Sequence, residues 1–449
     1  ARRLYAEVER LPIVSPHGHT DPRWYADDQA FPDPATLFVV PDHYVFRMLY
    51  SQGVDLADLG VPRKDGKPIE TDARKIWRRF AENYHLFRGT PTRAWLDHSF
   101  ATLFDLDVRL TPQTPAPNYD RIAERLARPD YRPRALFERF GIEALATTES
   151  PLDPLAAHKA IRDSGWKGRV ITAFRPDPVV DPEFEGFASN IARLSEISGL
   201  DATNWDGYLA ALRERRAFFK SMGATSTDHG HPSARTCDLD RAECERLFAL
   251  AISGRCTSED AEMFRGQMLT EMARMSMDDG LVMQIHPGSV RNHNPRLYAE
   301  NGRDMGADIP GRTEYVSALK PMLDLFGNEK NLTIILFTLD ETVYSRELAP
   351  LAGHYPALKL GPAWWFFDAP NGMRRFRDLT TETAGFYNTV GFNDDTRAFC
   401  SIPARHDVAR RVDCAYLAEL VAGRRLDEDE AAEVAVDLTY TLVKKAYRL

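Results

Sequence analysis

The sequence predicts an α/β chain folded as a (β/α)8 barrel of the TIM type, with a helical insertion after the first strand. Three observations predict it. Short apolar, β-like runs recur near residues 13–17, 143–148, 169–174, 223–228, 281–286, 332–337, 358–362 and 389–392. Stretches with helical amphipathic spacing lie between them, at 153–164, 206–222, 258–278, 314–326 and 408–420. Several of the runs end in polar residues. Strands alternating with helices imply parallel βαβ units, and about eight such units imply closure into a barrel. A chain of 449 residues is long for one ordinary domain, but an insertion-bearing barrel reaches this size as a single unit.

Taken in order, the first run ends in Ser15-Pro16-His17-Gly18-His19 and breaks at Asp21-Pro22. Alternate side chains of an extended strand share a face, so His17 and His19 project the same way. Two imidazoles at a strand's carboxyl end suit a divalent metal, and Gly18 leaves room between them. Taken alone, a His-x-His is more often a pair in a surface turn; here further His and Asp residues stand at other strand ends. The stretch 24–133 leaves the β–α rhythm. It is rich in aromatics, Arg and Asp, reads as several helices, and is expected to lie over the carboxyl-end face. The expected division is therefore 1–23 for the first strand, 24–135 for the insertion and 136–449 for the remaining barrel and closing helices. Residues 428–445 carry apolar spacing suited to packing on a scaffold.

Composition narrows the function classes. Hydrophobic content of 43% and charged content of 27% describe a soluble globular chain with ample core. A net charge of −9 argues against nucleic acid or an anionic membrane as partner. There is no apolar run of about 18 residues, so no membrane span is expected. The opening ARRLYAEVERLP is charged and amphipathic, unlike a secretory leader. Five cysteines, an odd number without a CxxC pair, favour free thiols in a reducing compartment, hence the cytoplasm.

Active sites of such barrels sit at the carboxyl ends of the strands. Those ends carry His17 and His19; Thr147-Thr148-Glu149-Ser150; Arg175-Pro176-Asp177; Thr227-Asp228-His229-Gly230; Gln284-Ile285-His286; Trp364-Trp365-Phe366; and Asn393-Asp394-Asp395-Thr396-Arg397. Imidazoles, carboxylates, arginines and aromatics thus recur at equivalent positions.

Here the chain resembles a family. His-x-His on the first strand, histidines on middle strands and Asp on the last resemble the metal constellation of the amidohydrolase superfamily. Within it the chain is similar to the uronate (glucuronate) isomerases. The resemblance is carried by DHYVFRML at 42–49, ATTESPLD at 146–153, FRPD at 174–177, TDHG at 227–230, QIHPGSVRNHN at 284–294, GPAWWF at 361–366 and NDDTRAF at 393–399. These run in the family's order from the first strand almost to the end. Two departures stand out: Gly18 where the family usually has Cys or Asn, and Glu149-Ser150 where it has an acidic pair.

The resemblance implies one divalent cation held by His17, His19 and Asp395, with Zn preferred and Mn, Fe or Co as alternatives. Asp395 is chosen over Asp394 because it precedes Thr-Arg. His229 is a further candidate ligand or the support of one, and His286 is equally explained as a buried histidine. Arg175 and Arg397, with Arg291 third, are candidates for a substrate carboxylate, because a guanidinium fork matches one bidentately. Trp364 and Trp365 are core or a wall for the sugar. For His43 and Tyr44 the plain reading is a helix start capped by Asp42; the resemblance places them over the site. The implied activity is aldose–ketose isomerisation of hexuronic acids, D-glucuronate to D-fructuronate and D-galacturonate to D-tagaturonate. Its route is enediol proton transfer, with Asp395 as base and His43 or Tyr44 moving the oxygen proton. The implied partner is a small sugar acid, and a homo-oligomer is expected. Metal-hydroxide hydrolysis of amides or esters is the alternative reaction, and a non-catalytic sugar-acid binder the third reading.

Overall fold

Seven of the apolar runs form strands of one parallel sheet in the computed structural model, which describes residues 1–106 and 108–449. They are β1 (Ile13–Ser15), β2 (Ile142–Glu149), β3 (Arg169–Phe174), β4 (Ser226–His229), β5 (Val282–Ile285), β8 (Ile334–Leu336) and β9 (Leu358–Leu360), neighbouring one another in that order. Between β5 and β8 a small antiparallel pair, β6 (Ser289–Val290) and β7 (Ile309–Pro310), stands apart from the sheet. Strands covered on both faces read as continuous apolar runs, which is why 334–336 lacks alternation.

The eighth run closes the barrel without becoming a regular strand. Thr389 bridges Leu360 in parallel, the Val390 N–H donates to the Leu360 carbonyl (3.1 Å), and the His19 N–H donates to the Thr396 carbonyl (3.0 Å). Gly391 at φ +76° and Asp395 at φ +37° break the ladder between those contacts. The segment 389–396 is therefore the eighth stave, and the (β/α)8 expectation stands.

Outside the staves the longest helices are Trp205–Ser221, Ser258–Asp279 and Ile402–Ala422. The second starts in a capping box, in which Thr257 and Asp260 satisfy each other's backbone N–H groups. Helices at Phe187–Ser198, Arg241–Ile252 and Pro370–Ala384 were not among the sequence expectations. Between β1 and β2 the described residues form only helices and loops, from Pro22–Asp27 to Pro133–Arg139. Asp21, Asp33, Asp42, Asp72 and Thr90 cap five of these helices through their side chains. The segment's aromatics Trp77, Phe80, Tyr84 and Phe100 belong to a core cluster that continues into the barrel through Ile13, Ile142 and Val170. At the other end of the barrel, Leu442–Tyr447 packs across the amino ends of the staves, after Glu428–Val436, which packs on Arg2–Val8 and Ile402–Ala422, and a π-helical turn at Asp437–Thr441. No helix among the described residues is long and apolar enough to cross a membrane.

Candidate active site

The carboxyl ends of the staves open into a cavity of about 390 Å³. At its base His17 Nε2 and His19 Nε2 lie 3.4 and 3.2 Å from the same oxygen, Oδ1 of Asp395. That oxygen is buried and has no hydrogen-bond partner. Ligand bonds of about 2.1 Å meeting at a tetrahedral angle separate their donors by about 3.4 Å. The three groups therefore fit a divalent cation, and they are the one such cluster among the described residues.

Asp395 is held from several sides. Its other oxygen accepts the Trp364 indole N–H. Its backbone sits in the left-handed region, at φ +37°, a conformation seldom adopted by non-glycine residues outside functional sites. Burial works to raise its pKa, yet His17 and His19 outweigh it and hold the carboxyl well below the usual range. Burial likewise works to lower the His17 pKa, but Asp228 and Asp395 raise it; at His19 burial prevails and the pKa falls.

Asp228 is the buried charge that organises the second side of the cavity. Its Oδ1 is 2.5 Å from His286 Nε2, and its Oδ2 is 3.3 Å from Arg175 Nη1. Opposing the cost of burial, His286, His17 and Arg175 keep it ionised, well below the ordinary range. His286 Nδ1 is left without a partner and its ring lines the cavity. Arg175 also donates from Nε to Asp177 (2.9 Å), whose other oxygen accepts the Gly230 N–H. Against burial, Arg175 lowers Asp177 to about 2.

His43 and Tyr44 open the helix His43–Ser51, and Asp42 caps it by accepting the Tyr44 N–H at 2.8 Å. Both rings nevertheless line the cavity, so the cap and the overhang coexist. They stack with centroids 5.0 Å apart, and His43 meets Trp365 edge-on. Both His43 ring nitrogens are buried without partners, and burial, then Arg397, pulls its pKa to about 3. Burial pushes the Tyr44 phenol well above its ordinary value. Tyr44 also lies under the Arg405 guanidinium, 5.4 Å from the ring centre.

The cavity wall carries Arg175, Arg291 and Arg397, each facing an acid. Arg397 pairs with Asp304 (3.0 Å) and Arg291 with Asp308 (3.3 Å). Arg397 is 37% exposed and so has donors to spare, whereas Arg175 is committed to two carboxylates. Arg291 also covers the Trp365 ring at 5.7 Å, and Trp365 is at φ +53°.

One placement corrects the sequence reading. His229 does not join His17, His19 and Asp395. Its Nε2 is 2.9 Å from Thr227 Oγ1, on the same face of β4, while Ser226 and Asp228 take the barrel-facing side. Alternation turns neighbours apart, and Asp228 is the one turned inward. Glu149 is turned away in the same manner. Thr148 and Ser150 line the cavity, while Glu149 accepts from Thr172 and lies 3.7 Å from His158. Burial pushes its pKa up to about 7. Gln284, whose amide nitrogen is 3.5 Å from His17 Nδ1, and Asp177 stand at strand ends in the sequence without an assigned role, and the acids Asp304 and Asp308 are absent from that reading. Gln284 is two residues before His286, so period-2 spacing was a signal for it; the loop acids carry none.

Comparison with known proteins agrees with this geometry over the whole chain. A family model described as glucuronate isomerase matches residues 1–447. The uronate isomerase of Rhizorhabdus wittichii is 68% identical over 449 residues, all of this chain and 95% of that one. That of Rhizobium meliloti is 66% identical over 449 residues, all of this chain and 96% of its relative. The crystal structure of glucuronate isomerase from Caulobacter crescentus matches with a TM-score of 0.98 at 61% identity, covering all of this chain and 93% of that one. The chain belongs to the glucuronate isomerase family, and it is an isomerase.

Proposed function

We propose that this enzyme interconverts aldose and ketose forms of hexuronic acids, D-glucuronate with D-fructuronate and D-galacturonate with D-tagaturonate, at a site built for one divalent cation, Zn by preference. The observation that carries the reading is the unpartnered Oδ1 of Asp395 between two imidazoles, at the base of a cavity walled by arginines. A cation bound by His17, His19 and Asp395 would supply positive charge to orient sugar oxygens and stabilise negative charge on them.

The reaction opens the sugar ring, takes the proton from C2 and returns one to C1, while the oxygen proton passes from O2 to O1. The Asp395 carboxylate, ionised through the ordinary pH range, takes the C2 proton and, after exchange with solvent, returns a proton to C1 on the same face of a cis-enediol. His43, a neutral imidazole, relays the oxygen proton, accepting it from O2 and returning it to O1 through the same ring nitrogen. Tyr44 stacks behind it and keeps the ring upright. Arg397, with Arg291 and Arg175, holds the carboxylate at C6, and Trp365 walls the sugar. Acid–base catalysis of this kind contributes roughly 10²–10⁴ in rate.

The insertion at 24–135 serves in this reading as the unit that carries His43 and Tyr44 over the cavity, which the packing of its aromatic cluster onto Ile13, Ile142 and Phe399 supports. Assembly as a homo-oligomer is supported by the exposed apolar side chains Val290, Ile309 and Val316. A cytoplasmic location is supported by five free thiols among the described residues.

The test is a proton NMR time course with D-glucuronate and D-galacturonate, in cation-supplied and chelated samples. Formation of the ketoses supports the assignment, and loss of turnover on chelation supports the cation. No change in either sugar would sink the isomerase reading, and turnover of amide or ester substrates would favour hydrolysis.

A further inference from the structure

The helix Leu442–Tyr447 reaches the reaction site from below. Tyr447 is fully buried in the barrel interior among Val14, Val282, Ile335 and Val390. Its hydroxyl donates to Gln284 Oε1 (3.1 Å) and accepts from Asn393 Nδ2 (3.2 Å). At its other end the Gln284 amide nitrogen donates to the Thr227 carbonyl and Ser226 Oγ, both at 3.3 Å. A carbonyl only accepts, so the orientation of this amide is fixed, and its nitrogen lies 3.5 Å from His17 Nδ1. Asn393 stands two residues before Asp395 on the eighth stave.

We infer that Tyr447 is a positioning residue for the isomerisation, its hydroxyl tying β5 to the eighth stave so that His17 and Asp395 are held at working separation. The two sides of the site otherwise belong to elements joined by little regular pairing: the eighth stave makes only one bridge to β9. The docking of the helix is specific. Gly391 is at φ +76°, and a Cβ there would lie 2.4 Å from the Leu438 carbonyl and 2.6 Å from Val443. Lys444 and Tyr440 both bond Glu143 at the start of β2, and Arg448 donates to the carbonyls of Gly280 and Asn331. Removing the Tyr447 hydroxyl leaves two buried amides, Gln284 and Asn393, short of a partner. Such groups reorient or admit water to satisfy themselves. Either response moves the neighbour of His17 and loosens the stave that carries Asp395.

The test is Tyr447→Phe in the full chain, which keeps the ring and its packing. With D-glucuronate, kcat is expected to fall about tenfold with KM within about twofold. Zn(II) affinity, read by competition with a chromophoric chelator, is expected to fall about tenfold, the lower end of the range for residues that orient a ligand. The double variant Tyr447→Phe/Gln284→Met should be no worse than Gln284→Met alone, because both act through one connection. Unchanged kcat and Zn(II) affinity in Tyr447→Phe, or effects that multiply in the double variant, would overturn the inference. If Tyr447→Phe loses its cooperative melting transition, Asn393→Ala decides by the same readouts. The inference rests on His17 and Asp395 being the working pair. A wild-type enzyme that neither binds Zn(II) nor isomerises uronates would fail that reading, whereas an active wild type with an indifferent Tyr447→Phe would fail this one.

Discussion

At the amino ends of the staves a helix fills the barrel, and its polar atoms are matched: Tyr447 with Gln284 and Asn393, Lys444 and Tyr440 with Glu143. At the carboxyl ends the staves deliver His286 Nδ1 and Asp395 Oδ1, and the insertion helix brings His43 over them, all buried and all without partners. Unpaired buried polar atoms cost stability and are rare in native folds, so their concentration at one end marks where the molecule has given up stability for chemistry. Asp395 and Trp365 also sit in the left-handed region beside the cavity. A barrel built from near-equivalent units thus has one end for stability and one for reaction.

Substitutions at the two ends should therefore separate activity from stability. The largest effect is expected for Asp395→Asn: kcat/KM for D-glucuronate lowered about 10³-fold, with a melting temperature equal to or above wild type. A large loss of melting temperature would place Asp395 among the structural residues instead. Next comes Arg397→Met, whose loss of a charge-assisted contact of about 1.5–3 kcal/mol should raise KM roughly 10- to 100-fold. kcat should stay within about threefold, and Arg397→Lys should not restore KM, because a point charge lacks the fork. At the opposite end Leu332→Ala, just before β8, should cost about 2–4 kcal/mol in urea unfolding. Its kcat per folded molecule should be unchanged; a parallel fall in kcat would erase the distinction between the ends.

The smallest effect is on pH dependence. Burial raises Glu149 from 4.5 to about 7 in the fold. The folded state then binds this proton more tightly than the unfolded chain, so stability declines as pH climbs from about 4.5 and levels off above about 7. Glu149→Gln removes the ionisable group, so its advantage in urea midpoint over wild type should be larger at pH 8 than at pH 5. An equal advantage at both values would show that burial is not the cause.

The eight staves were legible because apolar runs of strand length recur with helical spacing between them, even where 389–392 makes only a bridge. His17, His19, Asp395, Arg175 and Arg397, which strand ends group together in the sequence, stand in one cavity with His43, which only the resemblance placed there. His229, a candidate for a further ligand or the support of one, faces Thr227 instead, because a period of two makes face assignment hang on one residue of register. The run was read as 223–228, whereas β4 is Ser226–His229. Asp304 and Asp308 follow the helix Pro295–Asn301 in a loop where no periodicity applies. The link from Tyr447 to His17 joins residues hundreds of positions apart, a relation that only the closed barrel creates.

The central claim is proton transfer at the open end of the barrel, and D-glucuronate deuterated at C2 tests it most directly. Turned over in ordinary water, it should react more slowly than the protiated sugar and give D-fructuronate carrying solvent hydrogen at C1. Complete retention of deuterium at C1 would contradict this route, since a hydrogen held on Asp395 and exchanged with solvent could not all return to the sugar as deuterium.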